Sequence, residues 1–219
     1  YKALPPVLAA LLADHPRNAP PPEALARLAG VSDFAVEVLV QQPGLLAGLN
    51  EPLQSLQLRA DAESEWPVRI RRWRRAQSLK LIWRDVAGID SVEQTLAGST
   101  WIAEQALQAG FTAIDTLLRQ SHGTVRDEHG AEQHMTVLGL GKLGGGELNF
   151  SSDVDLVYAF SGHGMSDGAR PIAAETYFTR LGQRLANLLD EVTADGFSHR
   201  VDLRLRPFGA SGRLLLSFN

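Results

Sequence analysis

The spacing of hydrophobic positions along the chain changes near residue 120. Before this point, apolar residues recur every three or four positions, which is the period of a helix with one buried face. The spacing predicts long helices over residues 69–86 and 91–120, and a shorter helix over residues 34–40. We therefore expect residues 1–120 to form a helical region.

The remainder of the chain has the shorter patterns that are typical of strands. Four apolar or alternating runs predict strands, over residues 135–140, 153–160, 199–206 and 214–218. Residues 171–192 predict an amphipathic helix, and the polar segments 122–134 and 162–170 predict loops. The fold class is expected to be α+β, with residues 121–219 forming a mixed-sheet domain on which the helical region packs.

Composition narrows the class of protein without defining a function. Hydrophobic residues make up 44% and charged residues 21% of the 219 residues, as in an ordinary globular protein. The formal net charge of −4 gives no reason to expect nucleic-acid binding, and the longest apolar runs are too short to span a membrane. The chain has no cysteine, which excludes disulfides, thiolate metal sites and a cysteine nucleophile, and fits a cytoplasmic location.

Both ends of the chain suggest a larger protein. The sequence starts at Tyr1 instead of a methionine, and it ends at Asn219 just after the apolar run over residues 214–218. We therefore expect a fragment whose second domain continues beyond its last residue.

Seven basic residues lie on the helix predicted over residues 69–86, with no acidic residue between Trp66 and Arg84. These basic residues are Arg69, Arg71, Arg72, Arg74, Arg75, Lys80 and Arg84. We expect a solvated helix face, since charge runs of this kind usually lie in water. The alternative is a patch that binds phosphate or an acidic partner surface.

The sharpest candidate for chemistry is the pair Asp153 and Asp155. Residues two apart in a strand project to the same face, so these carboxylates are expected to lie side by side. Two such carboxylates repel each other unless a cation lies between them, and oxygen ligands of this type suit Mg²⁺ or Mn²⁺. A D-x-D triplet alone is weak evidence, because many occur on exposed strands.

A glycine-rich segment precedes these aspartates. Gly139–Gly146 contains five glycines and Lys142, directly after a predicted strand. Glycines permit tight turns and close approach of the backbone to a phosphate, and the lysine adds positive charge. The segment lacks the Walker A spacing, and no helical run is expected directly after it as in a dinucleotide-binding fold. A flexible turn with a solvated lysine is the simpler alternative.

The strand predicted over residues 199–206 alternates strictly between apolar and charged positions. Arg200, Asp202, Arg204 and Arg206 are expected on one face. An ordinary half-exposed strand with salt bridges would show the same pattern. Arginine forks also suit phosphate oxygens, and Asp202 could supply a third carboxylate to a metal centre. Carboxylates that hold two metals are typical of phosphoryl and nucleotidyl transfer.

These motifs together resemble a known family. Residues 139–156 and 200–209, with the upstream run 69–88, are similar to the glutamine synthetase adenylyltransferase/adenylyl-removing enzymes. The resemblance implies a nucleotidyltransferase fold of the DNA polymerase β type, with Asp153, Asp155 and Asp202 as catalytic metal ligands. It also implies nucleotide or phosphate contacts, from Gly139, Gly141, Lys142, Ser151, Ser152, Arg204 and Arg206.

The resemblance further implies an activity and partners. Full-length members carry two catalytic domains, and this chain looks more like the amino-terminal one, although Ala210 and Arg213 replace the Asp and Pro common there. That domain removes AMP from a tyrosine of glutamine synthetase by phosphorolysis with inorganic phosphate, releasing ADP, and members respond to the PII signalling protein. The alternatives are the ATP-dependent adenylylating domain, or a non-catalytic fragment that binds nucleotide or glutamine synthetase.

Overall fold

A computed structural model describes residues 5–14 and 20–218 of the chain. The α-helices are α1 (Pro6–Asp14), α2 (Pro22–Val31), α3 (Asp33–Gln41), α4 (Trp66–Val86), α5 (Val92–His122), α6 (Gly141–Gly144) and α7 (Ala174–Asp190). The strands are β1 (Val125–Arg126), β2 (Met135–Gly139), β3 (Val154–Phe160), β4 (Met165–Ser166), β5 (Val201–Asp202) and β6 (Leu215–Ser217). Short 3-10 turns cover Pro43–Gly48, Ala60–Glu65 and Gly209–Ser211. The α+β fold class is confirmed.

The long helices agree with the sequence prediction because their ends carry clear signals. Helix α4 begins at Trp66 with Pro67 in its first turn, where the missing amide hydrogen costs nothing. Helix α5 begins after Ser91, whose hydroxyl accepts from the Gln94 amide while the Gln94 side chain accepts from the Ser91 amide. These signals fix the starts of two helices that together form much of the core.

Strand β3 organises the four-stranded sheet. It pairs antiparallel with β2, so that Met135 lies opposite Phe160. It also pairs in parallel with β5 along its first two residues and with β6 along its last three. The sheet is therefore mixed, with one parallel pairing at each end of β3.

Two predictions about strands and loops are wrong in part. Strand β5 ends at Asp202, so the alternation expected over residues 199–206 does not continue. Segments 122–134 and 162–170, expected as loops, contain β1 and β4, which pair with each other. Two-residue strands are too short to show a hydrophobic period. The one-turn helix α6 lies within the glycine-rich segment 139–146, and the next element after that segment is β3.

Two hydrophobic cores share helix α4. The sheet core contains β2, β3, α5 and α7, together with Trp66 and Ile70 from the first half of α4. The helical core contains α1, α2 and α3, together with Leu79 and Trp83 from the second half of α4. The division at residues 1–120 and 121–219 stays a prediction. Within residues 5–14 and 20–218, no helix has the length and apolar character needed to cross a membrane.

Close packing of α7 on the sheet depends on Gly182. A Cβ atom at this position would lie 2.8 Å from a ring carbon of Tyr158, which is fully buried in β3. A tyrosine ring in a packed core cannot yield as a flexible side chain can.

We expect Gly182→Ala to lower the free energy of unfolding by about 1–3 kcal/mol, because the added methyl overpacks the core. Urea unfolding followed by circular dichroism measures the change. Gly30→Ala in α2 is the control, since a Cβ there meets nothing within 4 Å. A loss in the control equal to that in Gly182→Ala would mean that the contact with Tyr158 is not the cause.

Candidate active site

Asp155 and Asp202 face each other across two adjacent strands. The parallel register of β3 and β5 places Asp155 opposite Asp202 and Val154 opposite Val201. Adjacent strands lie about 4.8 Å apart, so paired residues direct their side chains to the same face. Val154 is fully buried whereas both aspartates are partly exposed, so the carboxylates lie on the face that solvent can reach.

Arg204 supplies the positive charge next to these carboxylates. Its Nε donates to both carboxylate oxygens of Asp202 at 3.0 Å, and its backbone amide donates to the same carboxylate at 2.8 Å. The Arg204 side chain and backbone bonds lower the pKa of Asp202 to about 2. Asp202 raises the pKa of Arg204, and Asp153 and Asp155 add smaller contributions. All three aspartates therefore raise the pKa of the same group, the Arg204 guanidinium.

Asp153 lies just before β3 and pairs with a different arginine. Its carboxylate is 2.6 Å from Nε of Arg200, and Nη2 of Arg200 donates to the Ser151 carbonyl oxygen at 3.0 Å. The expectation that Asp153 and Asp155 belong to one strand is wrong, because the strand begins at Val154. Among the described residues no group of three or more aspartate, glutamate or histidine side chains is arranged to hold a metal ion.

The chemistry of the donor set nevertheless fits a divalent cation. Asp155 and Asp202 present carboxylate oxygens from paired strand positions, and such oxygens are the ligands that Mg²⁺ and Mn²⁺ prefer. The backbone leaves space beside them, since a Cβ at Gly141 would lie 2.8 Å from the Asp155 Oδ2. A third ligand from Asp153 requires its release from Arg200. The assignments of Asp153, Asp155 and Asp202 as metal ligands stay predictions.

The glycine-rich segment packs against Asp155 through its backbone. The Leu140 amide donates to the Asp155 carbonyl oxygen at 2.8 Å. Gly141 follows with a φ of +54°, a conformation that side chains with a Cβ rarely adopt. Helix α6 therefore starts directly beside the Asp155 carboxylate. This start requires glycine at position 141, both for space and for the positive φ.

Lys142 extends from α6 toward the loop before β3. Its Nζ lies 3.5 Å from the Ser152 hydroxyl, which donates to Asn149 Oδ1 at 2.6 Å. The lysine itself is exposed. The structure thus places Gly141 beside Asp155 and Lys142 beside Ser152, while the roles of these residues as phosphate or nucleotide ligands stay predictions.

Arg206 and Gly139 have local structural contacts. Arg206 donates to the Leu203 carbonyl oxygen at 2.5 Å, so it supports the turn that follows β5 and does not share a strand face with Asp202. Gly139 allows close packing of Leu143, since a Cβ at Gly139 would lie 3.0 Å from the Leu143 Cγ and Cδ2. The phosphate contacts predicted for both residues stay predictions.

The expectation of a solvated basic face on α4 is wrong for its central residues. Arg71 is fully buried, and the Lys80 side chain is 4% exposed. Arg71 donates to the Gly196 and Pro67 carbonyl oxygens, each at 2.8 Å, and to the Glu191 carbonyl oxygen. Burial lowers the pKa of Arg74 to about 10. Sequence reasoning missed these roles, although the absence of acidic neighbours was a usable signal.

Arg71 fixes the segment that leads into β5. We expect Arg71→Met to lower the free energy of unfolding by about 3 kcal/mol or more, because buried carbonyl oxygens lose their donor. Urea unfolding measures the loss. Arg69→Met on the same helix is the matched control, because Arg69 is exposed, and it should change stability by less than about 0.5 kcal/mol. Similar losses in both variants would contradict the anchoring role of Arg71.

His199 is buried between α4 and the start of β5. Burial, with the nearby charge of Arg74, lowers its pKa from 6.5 to about 3. The unfolded chain therefore binds a proton below pH 6.5 that the folded chain does not bind until about pH 3, so stability falls as the pH falls through this window.

We expect the wild-type chain to lose about 1 kcal/mol more stability than His199→Gln when the pH is lowered from about 7.5 to 5.5. Unfolding in urea at the two pH values gives the difference. Equal pH dependence in the two proteins would mean that His199 titrates normally in the folded state.

An α+β fold whose mixed sheet carries carboxylates on paired strands beside a glycine-rich turn is that of a nucleotidyltransferase-like domain. The sequence profile of the family described as glutamate-ammonia ligase adenylyltransferase matches residues 22–219. The chain belongs to this family. This result confirms the family resemblance that the motifs predicted.

Individual relatives agree with the family assignment. The chain is 60% identical over 198 residues to the bifunctional glutamine synthetase adenylyltransferase/adenylyl-removing enzyme of Stenotrophomonas maltophilia (strain R551-3), covering 89% of this chain and 21% of that protein. Its counterpart from Xanthomonas campestris pv. campestris (strain B100) is 57% identical over 212 residues, covering 93% and 23%. That of Thioalkalivibrio sulfidiphilus (strain HL-EbGR7) is 40% identical over 213 residues, covering 90% and 22%. The chain thus spans about a fifth of these relatives.

Proposed function

We propose that the chain is the catalytic part of an enzyme that removes AMP from a tyrosine of glutamine synthetase by metal-dependent phosphorolysis. Inorganic phosphate attacks the phosphorus of the adenylyl group, the bond from phosphorus to the tyrosine oxygen breaks, and ADP and the tyrosine are released. The observation that carries the proposal is the parallel pairing of Asp155 with Asp202 on the solvent-accessible face of the sheet. The choice of the removing direction rests on the resemblance of residues 147–152, 207–209 and 217–218 to the removing domain of the family.

The residues of the site have separate roles in this proposal. Asp155 and Asp202, with Asp153, hold Mg²⁺ or Mn²⁺, which would neutralise charge that develops on the phosphate oxygens. The Arg204 side chain is 77% exposed, so an anionic substrate can reach its guanidinium group. Lys142 provides a second positive charge beside the loop that carries Ser151 and Ser152.

Arg204 has two competing partners in this proposal. In the structure it neutralises Asp202, with Asp153 and Asp155 nearby. A divalent cation at the carboxylates would replace that positive charge, leaving the guanidinium available for phosphate. Gly139 lies at the end of β2, and Arg206 lies in the turn that follows β5. Direct contacts from these two residues to the nucleotide are part of the same proposal.

The partners are proposed with the reaction. They are glutamine synthetase, inorganic phosphate, ADP and ATP, with the PII signalling protein as the regulator that the family resemblance implies. No nucleic acid or membrane partner is proposed. A reaction that uses these nucleotides and this metabolic enzyme is proposed to take place in the cytoplasm.

We expect Asp155→Asn and Asp202→Asn each to lower the rate of ADP release by about a hundredfold or more, because each removes an anionic oxygen ligand. The assay incubates the chain with adenylylated glutamine synthetase, Mg²⁺ or Mn²⁺, and inorganic phosphate. Asp61→Asn is the control, since Asp61 is an exposed carboxylate paired with Arg59 outside the site. Circular dichroism of each variant verifies its fold.

The assay also separates the alternatives. AMP attachment driven by ATP, without phosphate-dependent ADP release, would identify the adenylylating reaction instead. Binding of glutamine synthetase by the folded chain without turnover in either direction would contradict catalysis and favour a binding module. Full activity of Asp155→Asn would contradict the assigned role of the carboxylate pair.

A further inference from the structure

A large cavity lies between the helical region and the loops that precede β3 and β5. Its volume is about 950 Å³, within the range of sites for small organic ligands. Helices α2, α3 and α4 form one wall, and residues 150–152 and 195–200 form the other. None of the three aspartates lines it, and neither do Gly141 and Lys142. The cavity is therefore separate from the three aspartates, although it shares Ser151 and Ser152 with the residues proposed to contact phosphate or nucleotide.

The cavity wall is positively charged. Its ionisable lining consists of four arginines and two aspartates, together with His199. Both aspartates already have partners: Asp195 pairs with Arg72 at 3.5 Å, and Asp85 accepts from the Thr95 hydroxyl at 3.2 Å. Two of the arginines also have carboxylate partners, since Arg75 pairs with Glu37 at 2.9 Å and Arg200 pairs with Asp153 at 2.6 Å. Arg27 and Arg74 form no ion pair with a carboxylate of the described residues, so their charges are available to an anion.

Two of these arginines have buried donors without acceptors. Nε of Arg74 and Nε of Arg75 are both buried, and neither donates a hydrogen bond within the described part of the chain. Arg74 donates from its terminal nitrogen to the Phe150 carbonyl oxygen at 3.2 Å, and no carboxylate among the described residues forms an ion pair with it. A buried guanidinium group that lacks a full set of acceptors destabilises the fold unless an anion supplies the missing acceptors.

Aromatic rings lie among the same arginines. The guanidinium carbons of Arg74 and Arg200 lie 5.9 Å and 6.0 Å from the centroid of the Phe197 ring. That of Arg75 lies 5.3 Å from the centroid of Phe34. The remaining lining includes Ile82, Val86 and Phe150. Flat guanidinium groups stacked on rings favour a planar aromatic ligand, which can extend the stack.

We propose that this cavity binds a nucleoside phosphate at a site distinct from the aspartates. The phosphate contacts the guanidinium groups of Arg74, Arg75 and Arg200, whose planar forks match its oxygens. The base packs on Phe34 and Phe197. Since guanidinium groups hold the phosphate and rings hold the base, binding needs neither a divalent metal nor glutamine synthetase.

Isothermal titration of the chain with AMP in EDTA tests the proposal, with inorganic phosphate as a second titrant. EDTA removes the divalent metal, so the result does not depend on the catalytic proposal. We expect AMP to bind, and Arg200→Gln to weaken its binding at least tenfold. The Arg200 side chain is 57% exposed, so its replacement should leave the fold intact.

Three further variants locate the ligand. Phe34→Leu should weaken AMP binding at least severalfold while keeping the wall apolar. Arg69→Gln is the matched arginine control, because Arg69 is an exposed residue of α4 outside the cavity, and Asp155→Asn reports on the aspartate site. AMP affinity should stay within about twofold of wild type in the last two variants.

Four results would overturn the proposal. They are no AMP binding in EDTA, an equal loss in Arg69→Gln and Arg200→Gln, loss of binding in Asp155→Asn, and an affinity for inorganic phosphate equal to that for AMP. The last result would show that the aromatic wall contributes nothing. Phosphate-dependent ADP release is measured separately, so failure of either proposal is distinguishable from failure of the other.

Discussion

The buried guanidinium group of Arg71 is the interaction on which the geometry of the site depends. It joins helix α4 to the carbonyl oxygens of Glu191 and Gly196, in the segment between α7 and β5. A charge in this position is stable only because several acceptors surround it. The segment it fixes continues directly into Val201 and Asp202, so the position of one carboxylate of the site follows from a contact on a distant helix.

The fold could be predicted where a pattern was long enough to be periodic. Helices α4, α5 and α7 have several turns of apolar spacing, and every residue of β3 except Asp155 is apolar. Strands β1, β4 and β5 have two residues each, and only their tertiary pairing defines them. The predicted alternation beyond Asp202 failed for a local reason. The Asp202 carboxylate accepts the Arg204 amide, and this bond turns the chain out of the strand.

The candidate site was predictable in its residue types and in the adjacency of its two strands, but not in the register that places Asp155 opposite Asp202. The sequence indicated Asp153 and Asp155 as neighbours, whereas the structure pairs Asp155 with Asp202. Strand register across a parallel pair depends on contacts far apart in the chain, which a local pattern does not contain. The interior charges of α4 were missed for a related reason. A run of arginines in a sequence indicates a solvent-exposed surface, because the carbonyl oxygens that accept their hydrogen bonds are known only from the structure.

Arg200 contacts both the cavity and the aspartate site. It lines the cavity and also forms an ion pair with Asp153, so one side chain connects the two regions. Under the two proposals, an anion that drew Arg200 toward the cavity would free the Asp153 carboxylate for a cation. By thermodynamic linkage, a cation bound at Asp153 would strengthen anion binding in the cavity by the same factor. Occupancy of the two regions would then be mutually reinforcing through a single guanidinium group.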